Sequence, residues 1–249
     1  MADADLLLAV INGRLPEVIT ALDAGVSPNL RYSTGTTLIE SACLNAFPFG
    51  DDAGANEEIV RLLLRAGANP NPDSGTPPLL YSTMSGNAST TKMLLEAGAN
   101  AQVISLRGWT PLHRACSSSA ACVELLLASG AGSVVNVQCQ DGEDGELFYP
   151  LDLAVKGIVE HPPFHIRAPT RIERALPLLL RAGAICPTPY LAPYDDPHPY
   201  LNRVLATGGF RRYEQRHINA LAATFGPKLG LLPEIARVVV AFYAHCGFY

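Results

Sequence analysis

The fold is decided by a nine-residue segment, Gly108-Trp109-Thr110-Pro111-Leu112-His113-Arg114-Ala115-Cys116, and by a shorter phrase behind it, Leu126-Leu127-Ala128-Ser129-Gly130-Ala131. Thr110 suits a helix N-cap, and Pro111 suits the first turn of that helix because its missing N–H costs nothing there. Gly130 suits a left-handed C-cap at the end of a second helix. The two phrases together therefore predict a pair of helices.

The shorter phrase occurs five times, and each copy contains a glycine: Gly25, Gly67, Gly98, Gly130 and Gly183. The spacings between these glycines are 42, 31, 32 and 53 residues. Two of them lie near ~33 residues, a period typical of helical repeats. The longer spacings indicate insertions near residues 45–55 and 157–168, between paired helices, where they leave the stacking faces intact.

Weaker copies of the nine-residue segment stand at residues 35–43, 75–82 and 149–154. The combined pattern resembles the ankyrin repeat, in which Thr-Pro-Leu-His-x-Ala precedes Leu-Leu-x-x-Gly-Ala. The resemblance implies an all-α solenoid of about five repeats over residues 1–187, built of helix pairs with β-turn or hairpin loops. It also implies a structural role for His113, whose imidazole hydrogen-bonds across the turn and ties repeats together.

The pattern changes after Pro187. Closely spaced prolines over residues 188–199 predict a linker without regular helix. Residues 200–249 predict a C-terminal module with helices at about 200–207, 210–225 and 233–246. The last of these helices is apolar enough to require a partner surface.

Two interpretations of the C-terminal module remain open. It can be a cap that closes the exposed end of the last repeat, as solenoids require. Alternatively, Leu232-Pro233-Glu234-Ile235, followed by a Val-rich helix, is similar to the start of an F-box. A helical segment that ends in a Leu-Pro-containing stretch is also similar to a SOCS box. Either motif would make the chain a substrate receptor of a ubiquitin ligase.

Charge and composition exclude several classes of protein. The net charge of -5 argues against nucleic-acid binding, whose surface is usually basic. Asp3 and Asp5 stand where a signal peptide would be positive, and no apolar stretch is long enough to span a membrane. The chain is too long to need its six cysteines as disulfides. We therefore expect an intracellular, cytoplasmic and monomeric protein.

Motifs for catalysis and metal binding are weak. The sequence has no phosphate-binding glycine loop and no nucleophile elbow. His161 and His165 are separated by two prolines, which forbid the helix that would bring them together. Cys116 and Cys122 fall at helix positions typical of buried free cysteines, and the acidic segment 141–146 lacks the later Glu of a calcium loop. We expect no enzymatic activity, no cofactor and no metal.

The resemblance implies that a protein partner binds the concave face, which is made of loop tips and the outward side of each first helix. Transferred position by position, this gives the candidate residues Trp109, Arg107, Arg114, Tyr81, Asp73, Ser74, Tyr32 and Glu40. Trp, Tyr and Arg are the types enriched at binding hot spots. An alternative for Trp109 is that it only packs over the neighbouring loop tip. The insertions, with Phe47, Phe49 and Phe164, are either further binding surface or tolerated loops.

The sequence therefore predicts a non-catalytic scaffold or adaptor that binds a protein partner. The alternative is the ubiquitin-ligase receptor with an F-box- or SOCS-box-like module.

Overall fold

The computed structural model of the chain describes residues 2–46, 53–73, 76–141, 146–160, 174–185 and 199–245. The chain divides into two compact units, Met1–Ile185 and Cys186–Tyr249. The predicted boundary at Pro187 and the predicted linker up to residue 198 lie outside the described residues. The same holds for residues 47–52 and 161–168 of the predicted insertions, including their three phenylalanines.

The described helices of the first unit form five consecutive pairs: α1 (Ala2–Ile11) with α2 (Leu15–Asp23), α3 (Leu38–Asn45) with α4 (Ala53–Arg65), α5 (Pro78–Met84) with α6 (Ala88–Glu96), α7 (Pro111–Cys116) with α8 (Ala120–Ala128), and α9 (Pro150–Glu160) with α10 (Ala175–Arg181). The first helices of successive pairs pack on one another in chain order, and so do the second helices. The predicted all-α solenoid is confirmed. Residues 53–55 and 157–160, assigned above to insertions, belong to α4 and α9.

Helix ends and the core follow the repeated phrase. All five of its glycines have positive φ, between 82° and 94°, as a left-handed cap requires. The leucine four residues before the glycine is fully buried in repeats two to five, as Leu63, Leu94, Leu126 and Leu179. Burying one such side chain contributes about 1.5–3 kcal/mol, so the phrase supplies both the stop signal and the core.

Repeats are also joined by side-chain amides that the sequence pattern did not predict. Asn29 Nδ2 donates to the carbonyl of Gly67 at 3.0 Å, and Asn29 Oδ1 accepts the Asn69 N–H at 2.8 Å. The same two bonds link Asn71 to Gly98 and Asn100, and Asn136 to Gly183 and Ile185. Gln102 makes one such bond, from Nε2 to Gly130 O at 3.1 Å. Each amide therefore connects one repeat to the C-cap of the next.

The loop before α9 is a β-hairpin. Its strands β1 (Cys139–Asp141) and β2 (Glu146–Phe148) are antiparallel, with Cys139 opposite Phe148. The Gln140 N–H donates to Arg107 O at 2.9 Å, which attaches the hairpin to the preceding loop tip.

The second unit has its own small core. Its described helices are α11 (Pro199–Ala206), α12 (Phe210–Phe225) and α13 (Pro233–His245), within one residue of the predicted bounds. Ile218 and Ala222 of α12 and Ala236 of α13 are buried, and α12 packs against α13. Within the described residues, no helix combines the length and apolar content that crossing a bilayer requires.

Candidate binding surface

The start of α7 is held by a buried capping box. The Thr110 hydroxyl accepts the His113 N–H at 3.3 Å, and His113 Nδ1 accepts the Thr110 N–H at 3.2 Å. The other ring nitrogen, Nε2, donates to Phe148 O of the next repeat at 3.2 Å. His113 therefore links two repeats, which is the structural role that the resemblance implied.

Burial keeps this imidazole neutral. Removal from water lowers the pKa of His113 to about 4, although its backbone partners Phe148 and Val137 act in the opposite direction. Since Nδ1 accepts a backbone N–H, the ring carries its proton on Nε2. The histidine is thus part of the scaffold below the surface.

Above the capping box, Arg114 lies on Trp109. The guanidinium carbon is 3.7 Å from the centre of the Trp109 ring, and both residues are half-buried. The indole Nε1–H donates to Gln140 O at 3.2 Å, and the ring meets His113 edge-on at 5.9 Å. Trp109 therefore packs against the neighbouring hairpin and also supports a cation at the surface.

A tight turn carries the candidate Arg107 and the neighbouring Leu106. The Gly108 N–H donates to Ser105 O at 2.9 Å, so Leu106 and Arg107 occupy the centre of the turn. Leu106 has 107% relative exposure, and Arg107 is exposed. Polar residues and glycine dominate such turn positions, so a fully exposed leucine is unusual there.

Gly108 allows this turn to approach the hairpin. Its φ is +77°, and a Cβ on it would overlap the backbone oxygen of Gln138. Glycine is therefore required both for its conformation and for its size.

Equivalent positions of successive first helices extend the surface. Tyr81 of α5 stands four residues after its N-cap, as Arg114 does in α7, and α5 packs against α7. Three residues further along, Met84 is 37% exposed, and its equivalent Leu44 on α3 is 42% exposed. We call Leu106, Arg107, Trp109, Arg114, Tyr81 and Met84 the tip surface.

Other predicted residues have different environments. Glu40 is 1% exposed, because it fills the capping-box position of α3 that His113 fills in α7 and binds the Thr37 N–H at 2.6 Å. It is therefore unavailable to a partner, and its candidacy was wrong. The Tyr32 hydroxyl donates to Leu7 O at 3.0 Å, and burial raises the pKa of this phenol. Asp73 is exposed at the tip of repeat three, and Ser74 lies outside the described residues.

The Thr-Pro-Leu pattern also misplaced one cap. In repeat three, Pro77 and not Thr76 occupies the N-cap of α5, and no side chain caps that helix. Helix α5 still begins three residues after the glycine of its segment, as α3 and α7 do.

Cys116 and Cys122 lie at the predicted helix positions and are buried. Burial raises the pKa of both thiols, so these side chains behave as small core residues.

Leu106, Met84 and Leu44 were not predicted to lie at this surface. Met84 and Leu44 both stand seven residues after the N-cap of their helix. That shared spacing is a signal that could have identified them.

Comparison with known proteins agrees with this architecture. Residues 51–139 match the family model for ankyrin repeats, in three copies. The protein contains an ankyrin-repeat array. The matched segment runs from the start of α4 into β1 and includes Trp109, Arg114 and Tyr81. Ankyrin repeats generally serve protein–protein interaction and are generally non-catalytic.

Two curated proteins are similar to this chain. E3 ubiquitin-protein ligase KEG of Arabidopsis thaliana is 33% identical over 141 residues, which cover 55% of this chain and 8% of that protein. Ankyrin repeat and MYND domain-containing protein 1 of Homo sapiens is 30% identical over 183 residues, covering 65% of this chain and 19% of that protein. The matched part is thus less than a fifth of either relative, and the similarity to the ligase lies in its ankyrin region.

Proposed function

We propose that this protein is a non-catalytic adaptor whose ankyrin repeats bind a protein partner on the concave face, centred on the tip surface. The observation that carries the proposal is the Arg114–Trp109 stack at 3.7 Å beside the fully exposed Leu106. Trp and Arg are enriched at interaction hot spots, and an exposed large apolar side chain is typical of a binding patch. Tyr81 and Met84 add area from the packed neighbouring helix.

The protein is further proposed to be intracellular and monomeric. Cys43, Cys116, Cys122 and Cys139 are buried and free, which supports a reducing, intracellular compartment such as the cytoplasm. The acidic net charge supports a monomeric protein that binds other proteins and no nucleic acid.

The test is affinity capture from the native host with the full-length chain. We expect Trp109→Ala to reduce partner recovery about tenfold or more, because hot-spot truncation costs about 2 kcal/mol. Thr36→Ala is the matched control, since Thr36 holds the same position in repeat two. Circular dichroism verifies that both variants fold. Unchanged capture by a folded Trp109→Ala variant would contradict the proposal.

A second candidate function, substrate receptor of a ubiquitin ligase, is favoured by one feature of the second unit. Leu232, Ile235 and Val238 are 65%, 49% and 69% exposed at the start of α13. An Ile235→Asp, Val238→Asp variant is then expected to lose a ligase adaptor subunit from the captured set. Ala223→Asp, at an exposed site on α12, is the control. Absence of any adaptor subunit from wild-type capture would contradict this candidate.

A further inference from the structure

Repeats one to three share an exposed apolar position near the end of their first helices. Leu44 and Met84 hold this position in α3 and α5, seven residues after the N-cap. Ile11 holds it in α1, because the turn after Ile11 matches the turn after Met84. Gly13 and Gly86 have φ of 65° and 68°, and in both turns the N–H after the glycine donates to the carbonyl five residues earlier. We call Ile11, Leu44 and Met84, which are 47%, 42% and 37% exposed, the apolar column.

We infer that the apolar column binds an amphipathic helix of a partner protein, with a basic polar face and an apolar residue at every seventh position. The inference rests on the proposed function, because it names the kind of partner that the concave face takes. Large apolar side chains at the same place on three consecutive first helices form an exposed patch, and such patches mark interaction sites.

The spacing of the column favours a helix over a strand. Helix α1 packs on α3, and α3 packs on α5, so the three side chains stand on neighbouring helices whose axes lie about 8–10 Å apart. Seven residues of an α-helix rise ~10.5 Å and return to nearly the same face. Same-face residues of a strand are ~6.6 or ~13 Å apart, which does not match. A helix laid across the three repeats therefore meets all three side chains.

The type of side chain favours an α-helix over a polyproline II segment. A polyproline II segment advances ~9 Å in the three residues that return to one face, so its spacing also fits. Segments of that kind dock in aromatic-lined grooves, whereas amphipathic helices dock in hydrophobic grooves that are often rich in Met. None of the three column residues is aromatic.

The column does not continue into repeat four. The equivalent residue of α7 is Ser117, seven residues after Thr110. Ser117 is exposed, and its hydroxyl donates to Arg114 O at 3.2 Å. The matching helix therefore needs apolar residues at i, i+7 and i+14, a segment that is ~21 Å long at ~1.5 Å per residue.

Acids outnumber bases around the column. The first helices of repeats one to three and the segments next to them contain six acids and one base, Arg31. These parts of the chain are residues 1–13, 26–52 and 68–85. Glu40 is buried, whereas Asp5 and Asp73 are exposed. None of the ion pairs between described residues includes Asp5 or Asp73, so both carboxylates are available to a cationic partner.

Repeat four does not reverse this balance. Its turn and first helix contain two bases, Arg107 and Arg114, and the hairpin attached to that turn has four acids within residues 141–146. Residues 1–187 as a whole hold 12 Lys and Arg and 19 Asp and Glu, a net charge of -7. Lysine or arginine on the polar face of the partner helix is therefore attracted both near the column and by the array as a whole.

The experiment uses the full chain and four fluorescein-labelled peptides of about eighteen residues. The first is an alanine-rich helix with leucine at positions 2, 9 and 16 and lysine on the flanking positions. The second has leucine at positions 2, 7 and 12, which disperses the leucines around the helix. The third has glutamate in place of each lysine, and the fourth is proline-rich with leucine at every third position. Fluorescence anisotropy measures the dissociation constant of each peptide.

We expect the first peptide to bind the wild-type chain at least tenfold more tightly than each of the other three. Its affinity should fall at ~1 M salt, where the Debye length is ~3 Å. This comparison of peptides needs no variant of the protein, so it holds even if a substitution in the column disturbs folding.

A double variant, Ile11→Gln with Leu44→Gln, should bind the first peptide at least tenfold more weakly, because two of its three apolar contacts become polar. Neither residue belongs to the tip surface. Ile19→Gln is the matched control, since Ile19 is 40% exposed but lies on α2, the second helix of repeat one. Its affinity for the first peptide should equal that of the wild type. Circular dichroism verifies that both variants fold.

The inference is overturned if the second, third or fourth peptide binds as tightly as the first, or if none of the four binds. Unchanged affinity of a folded Ile11→Gln, Leu44→Gln variant would overturn it as well. If any of these results is obtained while Trp109→Ala reduces native capture, the inference fails and the proposed function stands. If Trp109→Ala leaves native capture unchanged, the proposed function itself fails.

Discussion

Repeats two and four have the same local structure at the start of their first helix, but that structure makes different contacts in the two repeats. Each has a tight turn with a positive-φ glycine, Gly35 or Gly108, followed by a threonine N-cap and a buried capping box. In repeat two the box is closed by Glu40, the turn is polar, and a Cβ on Gly35 would meet nothing within 4 Å. In repeat four the box is closed by His113, and Gly108 touches the next hairpin.

One sequence pattern can specify where a helix starts. The residues packed around that helix start then decide which other element it is hydrogen-bonded to. Glu40 accepts the Thr37 N–H of its own cap, and His113 accepts the Thr110 N–H of its cap and also donates to Phe148 O of the next repeat. Repeat four therefore combines the tip surface with a hydrogen bond from its capping box to the following repeat.

The largest difference in the free energy of unfolding is expected between two glycine substitutions. Both Gly108→Ala and Gly35→Ala place a side chain at positive φ, but only Gly108→Ala also overlaps a backbone oxygen, that of Gln138. We expect a loss of about 3 kcal/mol for Gly108→Ala and about 1 kcal/mol for Gly35→Ala. Urea unfolding followed by Trp109 fluorescence measures both. Equal losses would mean that the approach of the turn to the hairpin adds nothing.

The next effect is a pH dependence of the stability, and it arises from His113 in repeat four. The unfolded imidazole has a pKa of ~6.5, and the folded His113 has a pKa of about 4. Between these values the unfolded chain binds a proton that the folded chain does not. Stability that is present above pH ~6.5 is therefore lost as the pH falls towards 4, by about 2 kcal/mol between pH 7 and pH 5.

The check is the unfolding free energy of wild type and His113→Gln at both pH values. Contributions of the carboxylates are common to the two proteins, so the difference between them isolates the imidazole. If wild type and the variant lose the same stability on acidification, His113 does not carry this pH dependence.

A smaller loss of stability is expected when the side-chain amide hydrogen bonds between repeats are removed. Asn29, before the turn of repeat two, makes two bonds to the next repeat, and Gln102, before the turn of repeat four, makes one. We expect Asn29→Ala to cost about 1 kcal/mol and Gln102→Ala about half as much, because exposed hydrogen bonds contribute little each. Chemical denaturation of the two variants tests the ranking, which a larger loss for Gln102→Ala would reverse.

The smallest effect on stability is expected for an exchange of the two turns. A Leu106→Ser, Arg107→Thr variant gives repeat four the turn residues of repeat two. Because Leu106 is fully exposed, the free energy of unfolding should change by less than about 0.5 kcal/mol. Partner capture should nevertheless fall about tenfold. A variant that is equally stable and captures equally well would remove this turn from the tip surface.

The sequence was sufficient for the repeats and for most helix ends. Leucines at helical spacing followed by glycine determine where each second helix ends, since only a left-handed cap without Cβ strain fits there. The same reasoning gave the places of Trp109, Arg107 and Arg114 within the repeat, because these are local properties, and their binding of a partner stays a prediction. It failed for Glu40, which was transferred as a surface position but holds the capping-box position that His113 holds in α7. A capping box can bury a carboxylate that binds backbone N–H groups.

Apart from the bond of His113 to the next repeat, the contacts between repeats were decided by the tertiary structure. The sequence by itself determined the period, the helix pairs and the arrangement of turns, because caps and hydrophobic spacing act over a few residues. Only packing decided that Arg114 stacks on Trp109, that Gly108 meets Gln138, and that Leu106 and Met84 stay exposed. These relations join atoms in different repeats or side chains in specific rotamers, and no local preference encodes them.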